Sequence, residues 1–156
     1  MTDKDLMYFS KEGLVKLKGE LENFKTKKRK EIADRLEYAK SLGDLSENSE
    51  YQEAKESQIL NEGKIAEMED MLRRAVVVEK AASREKVDIG SEIILEDSGG
   101  KRINFTIVGA NESSPAENKI SHESPLGKAL LGHRKLESIS AQTPKGVIQY
   151  KIIDII

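Results

Sequence analysis

Two apolar series spaced by three and four residues constrain this chain more than any other feature of its sequence. Leu14, Leu17, Leu21 and Phe24 form the first, which resumes at Ile32, Leu36, Ala39 and Leu42; Tyr51, Ala54, Gln58, Asn61, Ile65, Met68, Leu72 and Ala75 form the second. Steps of three and four keep a series on one helix face, and their sustained repetition is the seam of a coiled coil. Lys28 interrupts the first seam, and Gln58 and Asn61 are polar intruders in the second. Between the series, Gly43 suits a left-handed helix stop and Ser46, Asn48 or Ser49 a cap for the next helix. So short a connection makes the two helices antiparallel neighbours. Residues 11–42, at about 1.5 Å each, predict a rod roughly 48 Å long with residues 44–50 at its tip.

The rest of the chain has a different character. Residues 1–80 carry 16 basic and 18 acidic groups and no proline, whereas residues 81–156 carry 10 and 10 and all three prolines, Pro115, Pro125 and Pro144. Ile93-Ile94-Leu95 predicts a strand, Asp97-Ser98-Gly99-Gly100 a hairpin turn, and Ile103, Phe105 and Ile107 the returning strand. Ile120-Ser121 is a short strand, Pro125–Leu131 a short helix ended by Gly132, and Ile148, Tyr150 and Ile152 alternate after the turn at Pro144-Lys145-Gly146. The expected class is α+β: a coiled-coil hairpin over 1–80, then a small antiparallel sheet with one helix over 81–156.

Composition removes several function classes. A net charge of −2 provides no global field for nucleic acid or anionic membrane, so any such contact needs a local patch. With no cysteine there is no disulfide framework, thiol nucleophile or Cys-ligated zinc. The polar start Met1-Thr2-Asp3-Lys4-Asp5 and the lack of a long apolar run predict a cytoplasmic protein without a membrane partner, and a monomer is expected. His122 and His133 lack metal-ligand spacing, and no phosphate loop or serine nucleophile motif occurs.

Two clusters remain. Asp44, Glu47, Glu50 and Glu53 follow at three-residue steps across the turn, a pattern that fits helix capping and also fits a partial Mg²⁺ shell offered to another molecule. Lys25-Thr26-Lys27-Lys28-Arg29-Lys30 places five cations in six residues, either a solvated helix face or a contact for nucleic acid.

The tip string Gly43-Asp44-Leu45-Ser46-Glu47-Asn48-Ser49-Glu50-Tyr51 resembles the Gly-Asp-Leu-x-Glu-Asn-x-Glu-Tyr signature of the bacterial Gre transcript-cleavage factors, of the GreA type in particular. Ala54, Lys55 and Gln58 continue the likeness. Ile120-Ser121 with Ser124–Gly132 resembles the C-terminal signature, and Tyr8, Gly13 and Leu17 fit the N-terminal pattern. The resemblance implies a coiled coil joined to an FKBP-like domain that docks on bacterial RNA polymerase. It further implies that the coiled coil enters the polymerase secondary channel and stimulates the enzyme's own cleavage of a backtracked RNA 3′ end. The factor would not be an enzyme itself and would have no cofactor of its own. Asp44 would help bind a Mg²⁺ shared with polymerase, and Glu47 would position or activate the attacking water. Lys25, Lys27 and Arg29, behind the tip, are the candidates for contact with nascent RNA in the elongation complex.

The chain departs from the pattern in three places. Arg29-Lys30-Glu31-Ile32 stands where Arg-Pro-Glu-Ile is usual, which predicts a straighter first helix. Ser113-Ser114 replaces Ala-Asp, and Leu136-Glu137 replaces a Gly-Asp turn. Competing readings are a Gre-like channel inhibitor, whose tip would be altered, a coiled-coil adaptor, and an FKBP-like prolyl isomerase. The last has only Phe105 and Tyr150 as aromatics in its half of the chain.

Overall fold

A computed structural model describes residues 2, 5–44, 47–79 and 83–156. Two compact units are present: Leu14–Arg74, and the residues up to Gly13 together with Ala75–Ile156. This division differs from a single cut after residue 80. The reason is a two-stranded parallel pairing, β1 (Met7–Phe9) with β2 (Ala75–Val77), which holds both ends of the helical segment in the same unit as the sheet. Met7–Phe9 shows no apolar/polar alternation that would mark a strand, and Ala75 continues the coiled-coil spacing instead.

The helical unit is an antiparallel hairpin. Its first arm comprises α1 (Lys11–Asn23), a π-helical segment Phe24–Lys28, and α2 (Arg29–Ser41); its second is α3 (Ser49–Arg74). Leu17, Leu21 and Ala39 are buried on one arm and Ala54, Asn61, Ile65 and Met68 on the other, so both apolar series form the seam. Two residues of the series fall outside it: Leu42 is 56% exposed, so the first arm's part of the seam ends at Ala39, and Ala75 belongs to β2. Across the arms Lys25 pairs with Glu69 at 2.5 Å, Arg29 with Glu62 at 2.8 Å and Arg35 with Glu53 at 3.9 Å, the descending order of an antiparallel pair.

The π-helical segment explains how the broken spacing around Lys28 still serves one seam. Phe24 and Leu36 are twelve residues apart. At about 100° per residue a regular α-helix would put Leu36 about 120° from the face of Phe24, and absorbing one extra residue in a π turn cuts this to about 20°. Replacing the usual proline therefore does not give an uninterrupted α-helix. Lys28, the seam interruption, is exposed and sets its Nζ 4.0 Å from the centroid of the Phe24 ring.

In the second unit, β3 (Glu92–Asp97), β4 (Arg102–Val108), β5 (Lys119–Ser121), β6 (Ser138–Thr143) and β7 (Gly146–Ile155) form a sheet in the order β5-β4-β3-β7-β6. All pairings are antiparallel except β4 with β5, which is parallel. Ile93, Leu95, Ile107, Ile139, Ile152 and Ile155 join Val87 and Leu130 in the core. Ile152 and Ile155 are both buried although three residues apart. A register shift opposite Ile94/Leu95 leaves Ile153 without a partner and reverses the alternation, as a β-bulge does. The short helix α4 (Pro125–Leu130) starts at Ser124, whose Oγ accepts from the Gly127 N–H at 3.0 Å.

Candidate functional site: the hairpin tip

The tip is built by the ends of α2 and α3. Leu42 closes α2, its N–H donating to the Ala39 carbonyl, and Gly43 then takes φ +122°, a conformation that suits glycine. Ala39 and Ala54 are almost wholly buried. With methyl side chains at these seam positions the two arms can close to a narrow end. Asn48 caps α3: its Oδ1 accepts from the Tyr51 N–H at 3.1 Å, and its Nδ2 donates to the Ala39 carbonyl at 2.6 Å. One amide thus satisfies an N-terminal donor of one helix and a C-terminal acceptor of the other. Ser46, another candidate cap from sequence, lies outside the described residues, as does Leu45.

Asp44 and Glu47 flank the turn and are both exposed. Asp44 follows the C-terminus of α2, the end where the helix dipole disfavours a carboxylate, so stabilisation of α2 does not account for an acid there. Glu50 lies in the first turn of α3, where a carboxylate is favourable, and Glu53 faces Arg35. The four-acid series therefore divides. Glu50 and Glu53 have local structural roles, while Asp44 and Glu47 are exposed carboxylates on the turn, hard oxygen groups of the kind that suit part of a Mg²⁺ shell. Among the described residues, no three carboxylate or imidazole groups converge to hold a metal ion by themselves.

The basic run divides too. Arg29 binds Glu62 through two hydrogen bonds of 2.8 Å, which raise the Arg29 pKa and hold the Glu62 carboxyl below its ordinary range. Lys25 likewise hydrogen-bonds Glu69 and lowers its pKa. Lys27 and Lys30 are exposed and make no ion pair among the described residues. Of the three cations singled out by sequence, Lys27 alone makes no ion pair across the hairpin among the described residues.

In the sheet unit, Ser10 begins α1. Its Oγ accepts from Gly13 N–H, while its N–H and hydroxyl donate to the Glu112 carboxylate at 2.7 and 2.5 Å. Gly13 permits this, because a Cβ there would lie 2.0 Å from Glu112 Oε1. His122 packs edge-on to Tyr8 with ring centroids 5.4 Å apart, and its Nδ1 lies 3.3 Å from the Val108 carbonyl oxygen, which fits a structural role. Phe105 and Tyr150 pack against each other and the core. Among the described residues no helix is long and apolar enough to cross a membrane.

An exposed acidic turn on a helical hairpin, with a separate α+β unit, defines a two-part protein with carboxylates at the surface of the hairpin turn. The family described as "Transcription elongation factor, N-terminal" matches residues 7–77, and "Transcription elongation factor, GreA/GreB, C-term" matches 82–156. Transcription elongation factor GreA of Caldanaerobacter subterraneus subsp. tengcongensis is 48% identical over 146 residues, 92% of this chain and 93% of that protein. GreA of Acetivibrio thermocellus is 44% identical over 156 residues, 99% of this chain and 98% of that protein. The crystal structure of GreA factor homolog 1 (Gfh1) of Thermus thermophilus is 32% identical, covers 97% of this chain and 99% of its own, and has a TM-score of 0.43. The chain belongs to the GreA/GreB transcription elongation factor family, and within it is of the GreA type.

Proposed function

We propose that this factor acts by placing Asp44 and Glu47 in the secondary channel of bacterial RNA polymerase, where they stimulate the polymerase's own cleavage of a backtracked transcript. The observation that supports this reading is the tip itself: Asp44 and Glu47 are exposed on a turn whose helix cap is Asn48. Asp44 would lend a carboxylate oxygen to a Mg²⁺ shared with polymerase, an ion that stabilises charge on the attacking and leaving oxygens of phosphodiester hydrolysis. Glu47 would hold the attacking water and accept its proton. The chain itself would be a non-enzymatic partner of polymerase and of the nascent RNA 3′ end.

Transcript shortening in stalled elongation complexes with Mg²⁺ tests the reading. The protein alone should cut no RNA, and its addition should accelerate cleavage. Asp44→Asn and Glu47→Gln should each remove at least about tenfold of the stimulation while leaving polymerase binding intact. Unchanged cleavage in both variants would overturn the assignment. Inhibition without cleavage by the unaltered chain would establish the channel-inhibitor reading instead.

A further inference from the structure

Asn61 is the one buried polar residue of the hairpin seam among the described residues, 5% exposed in a series with Ala54, Ile65 and Met68. A lone Asn in such a seam lowers stability and selects register. Its Nδ2 donates at 3.1 Å to the carbonyl of Phe24, the first residue of the π-helical segment, and its Oδ1 has no hydrogen-bond partner among the described residues. Lateral donors to helix carbonyls favour such departures from regular α-helix, and the Thr26 hydroxyl is a second one, bonding the Glu22 carbonyl at 2.8 Å. The pairs Lys25–Glu69 and Arg29–Glu62 bracket the same segment.

We propose that Asn61 is a positioning residue: by holding the π-helical segment it sets the register of α2 against α3, and so determines that Asp44 and Glu47 stand at the hairpin's end. Without the π turn, the chain beyond Lys28 would rotate by about 100° relative to the Leu17/Leu21 stripe, moving Ile32, Leu36 and Ala39 off the seam. The two arrangements compete because the segment can close as either helix type. Only the last link, from register to activity, rests on the function proposed above.

Three readouts on the full chain test this: the melting temperature followed by helicity, hydrogen exchange at residues 28–32 and at the Tyr51 amide, and maximal transcript cleavage. Asn61→Leu fills the seam with an apolar group, so its melting temperature should rise by several degrees. Its exchange at the named amides should nevertheless quicken about tenfold, and cleavage should fall about tenfold. Asn61→Asp keeps the size and removes the donor, and should quicken exchange and reduce cleavage without raising the melting temperature. A stabilised Asn61→Leu with unchanged exchange and cleavage would overturn the proposal. So would an Asn61→Asp that keeps the original exchange pattern. If the unaltered chain stimulates no cleavage, the proposed function fails, and the exchange measurements still decide the positioning role.

Discussion

Asn48 and Ala39 close the hairpin turn with one 2.6 Å hydrogen bond, from the Asn48 side-chain amide to the Ala39 carbonyl, on the residue that also caps α3. Losing it removes a cap and a cross-link together. Asn48→Ala should cost about 1 kcal/mol of hairpin stability, within the roughly 0.5–2 kcal/mol typical of a missing cap. Asn48→Asp should keep the bond from Tyr51 and lose the one to Ala39, so Tyr51 exchange should stay slow while the end of α2 frays. Amide exchange at residues 39–42 and at Tyr51 distinguishes the variants. Equal fraying at both places in Asn48→Asp would show that the two bonds do not act separately.

Leu136 is exposed and adopts φ +70°, in the left-handed region, where the resembled pattern has glycine. Its N–H donates to the Ile152 carbonyl at 2.7 Å, and the Ile152 N–H donates to the Glu137 carbonyl, so neighbouring bonds hold this conformation. A side chain with a Cβ is disfavoured there. Leu136→Gly should stabilise the sheet unit by about 1 kcal/mol, and thermal or denaturant unfolding will show whether it does.

Gly127 presents the opposite case. A Cβ at this position would stand 2.0 Å from the Ser121 backbone carbonyl oxygen, so α4 and β5 approach as closely as they do only with glycine between them. Gly127→Ala should destabilise the sheet unit by roughly 1–3 kcal/mol, the usual cost of overpacking. An unchanged unfolding midpoint would mean that α4 moves aside freely.

The seams, the turn, the tip acids and most of the sheet are legible in sequence because each is a local pattern of spacing or turn chemistry. What is not legible depends on residues distant in the chain. β1 and β2 are separated by the whole hairpin, and Glu112 meets Ser10 only after folding. Gly127 reads as helix punctuation, whereas its constraint is the Ser121 carbonyl. The basic run reads as one patch because the acids engaging Lys25 and Arg29 lie on the other arm. The irregular spacing around Lys28 is the one visible trace of the π turn.

The cross-arm pairs give the hairpin a pH dependence of known sign. Glu62 and Glu69 have folded-state pKa values below the ordinary carboxylate range, through hydrogen bonds from Arg29 and Lys25 respectively. Their contribution is complete above the unfolded-state value and is lost as pH falls through the lowered folded-state values. Melting temperature should therefore drop on acidification through and below the ordinary carboxylate range, less steeply for a Glu62→Gln/Glu69→Gln double variant. Parallel curves for the two proteins would show that these pairs add nothing measurable.

The basic face yields the last prediction, because its cations differ in what occupies them. Lys25 and Arg29 are engaged by Glu69 and Glu62, whereas Lys27 and Lys30 are exposed without an ion pair among the described residues. If extruded RNA runs along this face, Lys27 and Lys30 can meet its phosphates without breaking a cross-arm pair. Lys27→Gln/Lys30→Gln should leave the melting temperature nearly unchanged and weaken crosslinking to the RNA 3′ segment. The salt dependence of that crosslinking should also fall, by up to about one unit of slope for each phosphate no longer neutralised. Lys25→Gln/Arg29→Gln should instead lower the melting temperature, with a smaller change in salt slope. The effect of the first pair should be larger for long extruded RNA than for short. Unchanged crosslinking and salt slope in Lys27→Gln/Lys30→Gln would assign the whole run to solvation and hairpin pairing, leaving the tip acids as the hairpin's route to the transcript.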